Sequence, residues 1–378
     1  MIEALLAAAL RGNPVRWPAS WNGDMEERFI QAARAHGIQS LLAHLLYHRG
    51  EGQEWPDRVR TILAAETRAQ VFSESLRFVE LRRVLRALFE GGVHPLLLKG
   101  THLAYTHYPS PCLRPCSDVD LLIRESDRQP AGRLMNDLGY CPGVRVSGEL
   151  VTYQTLYQRD ARLGLKYEFD IHWRLAEPQT FAQLASFDDL ACEAVQVAYL
   201  GAGARGLSAV HALLLACVHR VAHHNNTRRL IWLYDIHLLA AGMSEQQWNR
   251  FMELAGQRRV RAICASGLRA AQRSCGAPVP SFVLSDLIAK TPFGEVERSA
   301  AFLKNGRRKA DVFISDLRAL PRWPDRLRLV YQHLFPSAEY VLRSNNTSIA
   351  VLLPLLYARR IVRGVGKWLR RRSPLDIF

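Results

Sequence analysis

Ser117-Asp118-Val119-Asp120-Leu121-Leu122-Ile123 is the stretch of this chain whose reading decides the fold. It joins two carboxylates, one residue apart, to a short apolar run. Pro109, Pro111 and Pro115 precede it as an irregular loop. A brief apolar run bounded by turn residues reads as a buried strand. Side chains two apart on a strand share a face, so Asp118 and Asp120 project together. Two adjacent carboxylates repel unless a cation lies between them. A hard ion such as Mg²⁺ (or Mn²⁺) suits such oxygens, and triphosphate oxygens would complete its shell. The plainer reading, two strand-end acids facing water, fits poorly with the low strand preference of Asp and the apolar run beside it.

Upstream, His94–Leu98 (HPLLL) reads as a second short strand. Lys99-Gly100-Thr101 then turns into a helix through His107. Glycine lets the backbone approach a phosphate, and the helix start offers free N–H groups. Lys99, Gly100 and Thr101 are therefore candidate nucleotide contacts, with Ser117 beside the acidic pair. A lone Lys-Gly-Thr is unspecific; its place, one strand before the carboxylates, gives it meaning.

Downstream, Ser126–Leu138 reads as a helix stopped by Gly139. Leu150–Tyr157 and Lys166–Trp173 alternate as strands. In the second of these, Glu168 and Asp170 share a face. If that strand lies beside the Asp118 strand, Asp170 completes a triad. Two metals about 4 Å apart could then clamp a displacement at phosphorus. Asp170 would also be placed to take a proton from the attacking hydroxyl, with Glu168 as the fallback. His172 shares the face and reads either as a substrate-orienting group or as a hydrogen-bonded core histidine.

Arg114, on the Pro-rich loop, reads either as a bidentate phosphate ligand or as a surface residue. Asp235 lies within an apolar helix (Leu230–Leu239), where a charge is costly unless paired. Arg228 or Arg229 is the expected partner, with substrate contact the alternative. His219, His223 and His224 lack the HExxH spacing of a zinc protease, so no zinc site is expected there. Cys112 and Cys116 lack a histidine partner for a nucleophilic role. No P-loop occurs.

These pieces together resemble the nucleotidyltransferase fold of DNA polymerase β: a strand ending in a glycine turn, a helix, a strand bearing Asp-x-Asp, and a later strand bearing Asp. The closer similarity is to a bacterial group of uncharacterised nucleotidyltransferases, the NTP_transf_5 type. The residues that carry it are Leu97-Leu98-Lys99-Gly100, Arg114, Ser117–Leu122, Leu138-Gly139-Tyr140 and Phe169-Asp170-Ile171-His172-Trp173. They span roughly residues 93–175, and a weaker match continues through His219 and residues 229–239. The resemblance implies metal binding by Asp118 and Asp120, a metal or base role for Asp170, and phosphate contacts near Gly100. The chain departs from the broader superfamily in having Lys-Gly-Thr where Gly-Gly or Gly-Ser is usual. Its link from Gly100 to Asp118 is also longer.

The surrounding sequence is helical in pattern, so the expected fold is α+β. A polymerase β-like core, a small mixed sheet with helices, is embedded in helical N- and C-terminal regions. The expected divisions are 1–90, 91–200 and 201–378. Val59, Ile62, Leu63, Val71, Leu76, Val79, Val84, Leu85 and Leu88 mark one long helix from Pro56 to Glu90. Asp24 is the expected cap of an earlier one. The 378 residues are 48% hydrophobic and 22% charged, as in an ordinary globular protein. Seven scattered cysteines exclude a disulfide framework and point to a reducing cytoplasm. The N-terminus lacks the basic start of a signal peptide.

Of the net +15, +11 falls in residues 301–378 (16 Lys and Arg against 5 Asp and Glu). That region suits an anionic membrane surface or nucleic acid as partner. The functional expectation is Mg²⁺-dependent transfer of a nucleotidyl group from an NTP to a hydroxyl or phosphate acceptor, borne by a small molecule, sugar or peptide. Phosphoryl transfer, as in a kinase, and a non-catalytic anion-binding module are the alternatives. The acceptor and the base of the NTP cannot be read from the motifs.

Overall fold

The structure, a computed structural model, describes the chain apart from residues 145, 147, 162–163, 290–296, 305 and 370–378. The basic tail at Arg370–Arg372 thus lies outside the described residues.

Four helices open the chain: α1 (Ile2–Leu10), α2 (Gly23–His36), α3 (Gln39–Arg49) and α4 (Asp57–Glu90). Helix α2 is capped by Asn22, whose Oδ1 accepts from Met25 N, and ends at Gly37 with φ +68°. Asp24, the cap expected from sequence, lies instead in the first turn, where its charge meets the positive end of the helix dipole. Helix α4 runs 34 residues, about 51 Å at 1.5 Å per residue. Val71 and Val79 share its apolar spacing but are 45% and 66% exposed.

Seven strands follow as one mixed sheet: β1 (Leu96–Leu97), β2 (Val119–Leu122), β3 (Cys141–Pro142), β4 (Gln154–Asp160), β5 (Lys166–His172), β6 (Val195–Gln196) and β7 (Arg205–Gly206). Their spatial order is β3-β4-β5-β2-β1-β7-β6. The sequence places β4 four residues too early, since Leu150 lies in a turn. Strands β2 and β5 are parallel neighbours, in the register Val119–Phe169, Asp120–Asp170, Leu121–Ile171 and Leu122–His172.

Helix α5 (Lys99–Thr106) joins β1 to β2, and α6 (Arg128–Asp137) follows β2. After β5 come α7 (Gln179–Ala182) and α8 (Phe187–Cys192). Beyond β7 the chain is helical: α9 (Ala209–Ala222), α10 (Leu230–Ala241), α11 (Glu245–Gln257), α12 (Arg261–Cys275), α13 (Ser281–Ala289), α14 (Lys309–Ala319), α15 (Trp323–Leu334), α16 (Ala338–Ser344) and α17 (Leu353–Leu369). The fold is α+β, as the sequence implies.

The two faces of the sheet enter two cores. Val119, Leu121, Phe169 and Ile171 pack with Leu81, Val84, Leu85 and Leu88 of α4 and with Ala131 and Met135 of α6. On the other face, Leu96, Leu98 and Leu122 join a larger core. That core takes Phe29 and Ile30 from α2 and Val59 and Leu63 from the first half of α4. It also takes Leu213, Leu233 and Leu268 from α9, α10 and α12. Strand β2 is therefore buried on both sides, as a central strand with a parallel neighbour usually is. All seven cysteines are free. Among the described residues, no helix is long and apolar enough to cross a membrane.

Candidate active site

Alternation along β2 puts Asp120 on the face opposite Val119 and Leu121, and alternation along β5 does the same for Asp170 and His172. Parallel pairing then sets Asp120 beside Asp170, with strands about 4.8 Å apart. All three side chains are buried. One potential ligand atom from each lies within 4.8 Å of the others, a grouping able to hold a metal ion.

Each member of the cluster is held in place. His172 Nε2 lies 2.7 Å from Asp120 Oδ1, and Lys99 Nζ donates to the same oxygen at 2.6 Å. Gln154, on β4, donates from Nε2 to Asp170 Oδ2 at 2.8 Å. Among the described residues Asp120 Oδ2 makes no hydrogen bond. Burial works against charging Asp120, but the Lys99 ammonium and the His172 bond outweigh it. They hold this carboxyl well below the usual carboxylate range. Asp118, one residue before β2, is half-buried and accepts from Ser117 Oγ at 3.0 Å. Burial, then the charges of Asp120 and Asp170, push its carboxyl upward, and Lys99 offsets only part of this.

The turn before α5 delivers Lys99. Leu98 N donates to Asp120 O at 3.0 Å, anchoring β1 to β2. Lys99 then adopts φ +50°, the left-handed region, which costs a residue with a side chain about 1–2 kcal/mol. Strain of this kind persists only where the surroundings enforce it. Thr101 Oγ1 donates to Asp118 O at 3.4 Å, tying the helix to the acidic stretch.

Other residues singled out from sequence are engaged elsewhere. Arg114 is buried and grips Asp235 with two bonds, Nε to Oδ1 at 2.8 Å and Nη2 to Oδ2 at 2.7 Å. Its Nη1 donates to Pro115 O at 2.9 Å, and Tyr108 OH donates to Asp235 Oδ1 at 2.8 Å. The expected pairing of Asp235 with Arg228 or Arg229 is thus corrected. Arg228 instead reaches Ser274 Oγ, and Arg229 lies over the Trp232 ring. The partner that wins is 121 residues away in sequence. Gly100 owes its small size to the same pair: a Cβ there would stand 2.9 Å from Cys116 Sγ and 3.0 Å from the Arg114 guanidinium. Glu168 is engaged across the hairpin, accepting from Gln158 Nε2 at 2.5 Å. Burial pushes the Cys116 thiol up to about 11, leaving it protonated and a poor nucleophile.

Sequence reasoning missed one residue, Gln154, and the setting of three histidines that it does name. Gln154 could have been found only from the β4–β5 register. The histidines form a group of imidazoles at the end of α9. His219 Nε2 and His224 Nε2 face each other at 3.1 Å, and the His219 and His223 ring centres are 5.3 Å apart. The His224 ring packs on Trp232 at 4.1 Å. Burial and then the nearby Lys99 charge keep His219 and His223 neutral, and take His224 down to about 4. Asp120 acts on all three with the opposite sign, so the group borders the carboxylate cluster. Among the described residues, His219 Nδ1 and His223 Nε2 are buried without a hydrogen-bond partner. The spacing His219-x-x-x-His223-His224 was the available signal, and a search for zinc motifs passed over it.

The charges also bear on a metal. Three carboxylates gather around one ammonium, and burial with the neighbouring carboxylates pushes the Asp118 carboxyl upward. A divalent cation fits that balance and those oxygens. A family model described as uncharacterised nucleotidyltransferase matches residues 23–276. A search of curated proteins returned no match. The chain belongs to this nucleotidyltransferase family and is a transferase.

Proposed function

We propose that the chain transfers a nucleotidyl group from an NTP to a hydroxyl or phosphate acceptor, with Asp118, Asp120 and Asp170 holding Mg²⁺ or Mn²⁺. The observation that carries this reading is the register of β2 against β5, with Asp120 beside Asp170. A bound divalent ion would supply charge neutralisation at the phosphates and acidify the attacking group. His172 fixes the orientation of Asp120, and Gln154 that of Asp170.

Asp170 accepts the proton of the acceptor hydroxyl. The acceptor oxygen bonds to the α-phosphorus as the bond from that phosphorus to the β-bridging oxygen breaks, and pyrophosphate departs. Lys99 meets the triphosphate from the strained turn, with Thr101, Ser117 and the first amides of α5 at Gly100 as further contacts. Arg114 and Asp235, locked on each other, act as scaffold beneath that turn. The neutral imidazoles of His219, His223 and His224 form a polar wall on which the acceptor is seated.

Mass spectrometry tests this reading. The protein is incubated with each of the four NTPs, Mg²⁺ or Mn²⁺, and a panel of sugars, small alcohols and peptides. An acceptor gaining the mass of an NMP is expected, with wild type only. A gain of one phosphate instead would make the chain a kinase. Unchanged turnover in Asp120→Asn would overturn the site.

A further inference from the structure

The C-terminal helix is amphipathic, yet much of its apolar side faces outward. It packs inward through Leu356, through Tyr357 OH donating to Pro336 O at 2.7 Å, and through Arg360 over the Tyr340 ring. On the opposite side lie Val351, Leu355, Ala358 and Val362, all exposed. Val351, Leu355 and Val362 are 87%, 65% and 75% exposed. Val351 lies in the 3-10 turn Ala350–Leu352 that leads into this helix, and steps of three and four residues put Leu355, Ala358 and Val362 in one line along it. Arg359 and Arg363, both exposed, flank that line on one side. Helix α15 repeats the theme with exposed Trp323, Leu327, Tyr331 and Leu334 at steps of four, four and three.

We propose that this region docks in the plane of an anionic lipid bilayer, with the Val351–Val362 line buried among the acyl chains and the arginines at the headgroups. Three occupants could cover an apolar line edged with arginines. A nucleic acid would use the arginines and leave the aliphatic line wet. A second copy of the chain would bring two strongly cationic regions together, since residues 301–378 carry 16 Lys and Arg against 5 Asp and Glu, and like charges across an interface are unfavourable. Anionic lipid answers both features: an in-plane helix sinks its apolar side about 5–10 Å into the headgroup–acyl boundary, and surface arginines attract the lipid charge. Exposed Trp323 and Tyr331 are of the types enriched at that boundary. In the sequence, Lys367, Trp368 and Arg370–Arg372 follow.

The test is co-sedimentation of the full chain with vesicles of phosphatidylcholine alone, or with about 30% phosphatidylglycerol added. Binding to the anionic vesicles only is expected, weakening with salt. Leu355→Glu/Val362→Glu and Arg359→Glu/Arg363→Glu should each reduce it by at least about 10-fold. Both pairs are exposed and outside the carboxylate site, so circular dichroism and NTP turnover should be unchanged. The proposal is overturned by equal binding to neutral vesicles or by no vesicle binding. It is equally overturned if sedimentation velocity shows a dimer that Leu355→Glu/Val362→Glu dissociates, or if the chain binds single-stranded RNA in preference to vesicles and Leu355→Glu/Val362→Glu leaves that binding intact.

Discussion

Two ion pairs flank the turn at Gly100, and they are built in opposite ways. Arg114 and Asp235 meet through two parallel bonds, deep in the protein, with Tyr108 and a backbone carbonyl meeting further polar groups. Lys99 and Asp120 meet through a single 2.6 Å contact, from a strained backbone, amid two more carboxylates and a histidine. A planar fork in a fixed socket is hard to replace; a point charge on a flexible stem is easily moved. The first pair is scaffold. Under the proposed function, the second is a temporary balance of charge that gives way to a cation and phosphates.

Removing one member of each pair should therefore do different damage. Asp120→Asn should cut turnover about 10³–10⁴-fold and destabilise the fold less than loss of Asp235 does, because the Lys99 ammonium on its flexible stem can turn toward solvent. Asp235→Ala should cost about 3–4 kcal/mol in urea or heat, because it strands the buried Arg114 charge. Equal destabilisation by both would erase the distinction.

A divalent ion should sharpen it further. At about 100 times its Kd, Mg²⁺ should stabilise the fold by about 2.7 kcal/mol. Asp118 has a raised folded-state value, so it favours the folded state at low pH and opposes it once ionised. The gain in Tm from Mg²⁺ or Mn²⁺ should consequently grow from about pH 4 to pH 7, and it should shrink in Asp118→Asn. Asp120 has the opposite sign: its contribution is present above the ordinary carboxylate range and is lost only as pH falls through its own lower value. A pH-independent metal effect would count against Asp118 as a ligand.

Lys99→Met probes the balance directly. Without the competing ammonium, Mg²⁺ should bind about 10-fold more tightly by calorimetry, roughly 1.4 kcal/mol, while the KM for NTP rises. Weaker metal binding would show that Lys99 organises the site and is not displaced from it. The smallest effect is expected for Glu168→Gln. Its carboxylate is engaged by Gln158, so turnover should stay within about 2-fold. A large loss would return Glu168 to the site.

What the sequence made legible follows from distance along the chain. Asp118 and Asp120 share a heptapeptide with strand β2, and residues 117–123 carry both that strand and two of the candidate carboxylates. Asp170 needed one inference, that its strand lies beside β2, and the alternation of Lys166–Trp173 supported it. Arg114 and Asp235 could not be paired, because nothing local distinguishes Arg114 from Arg228 or Arg229 as the partner. The size of Gly100 was read as room for phosphate, although the guanidinium against it is set by that same distant contact. The imidazole group failed for a different reason. Its three members were noticed, but the carboxylates they border come from β2 and β5, about a hundred residues and fifty residues earlier.

Helix α4 has a consequence of its own. Val59 and Leu63 belong to one core, and Leu81, Val84, Leu85 and Leu88 to the other. The span between them acts as an axle whose two ends must keep a fixed phase. One residue inserted between Leu63 and Leu81 would turn one end about 100° against the other. A substitution at solvent-facing Val71 would be absorbed, whereas a one-codon insertion or deletion beside it would put both cores out of step.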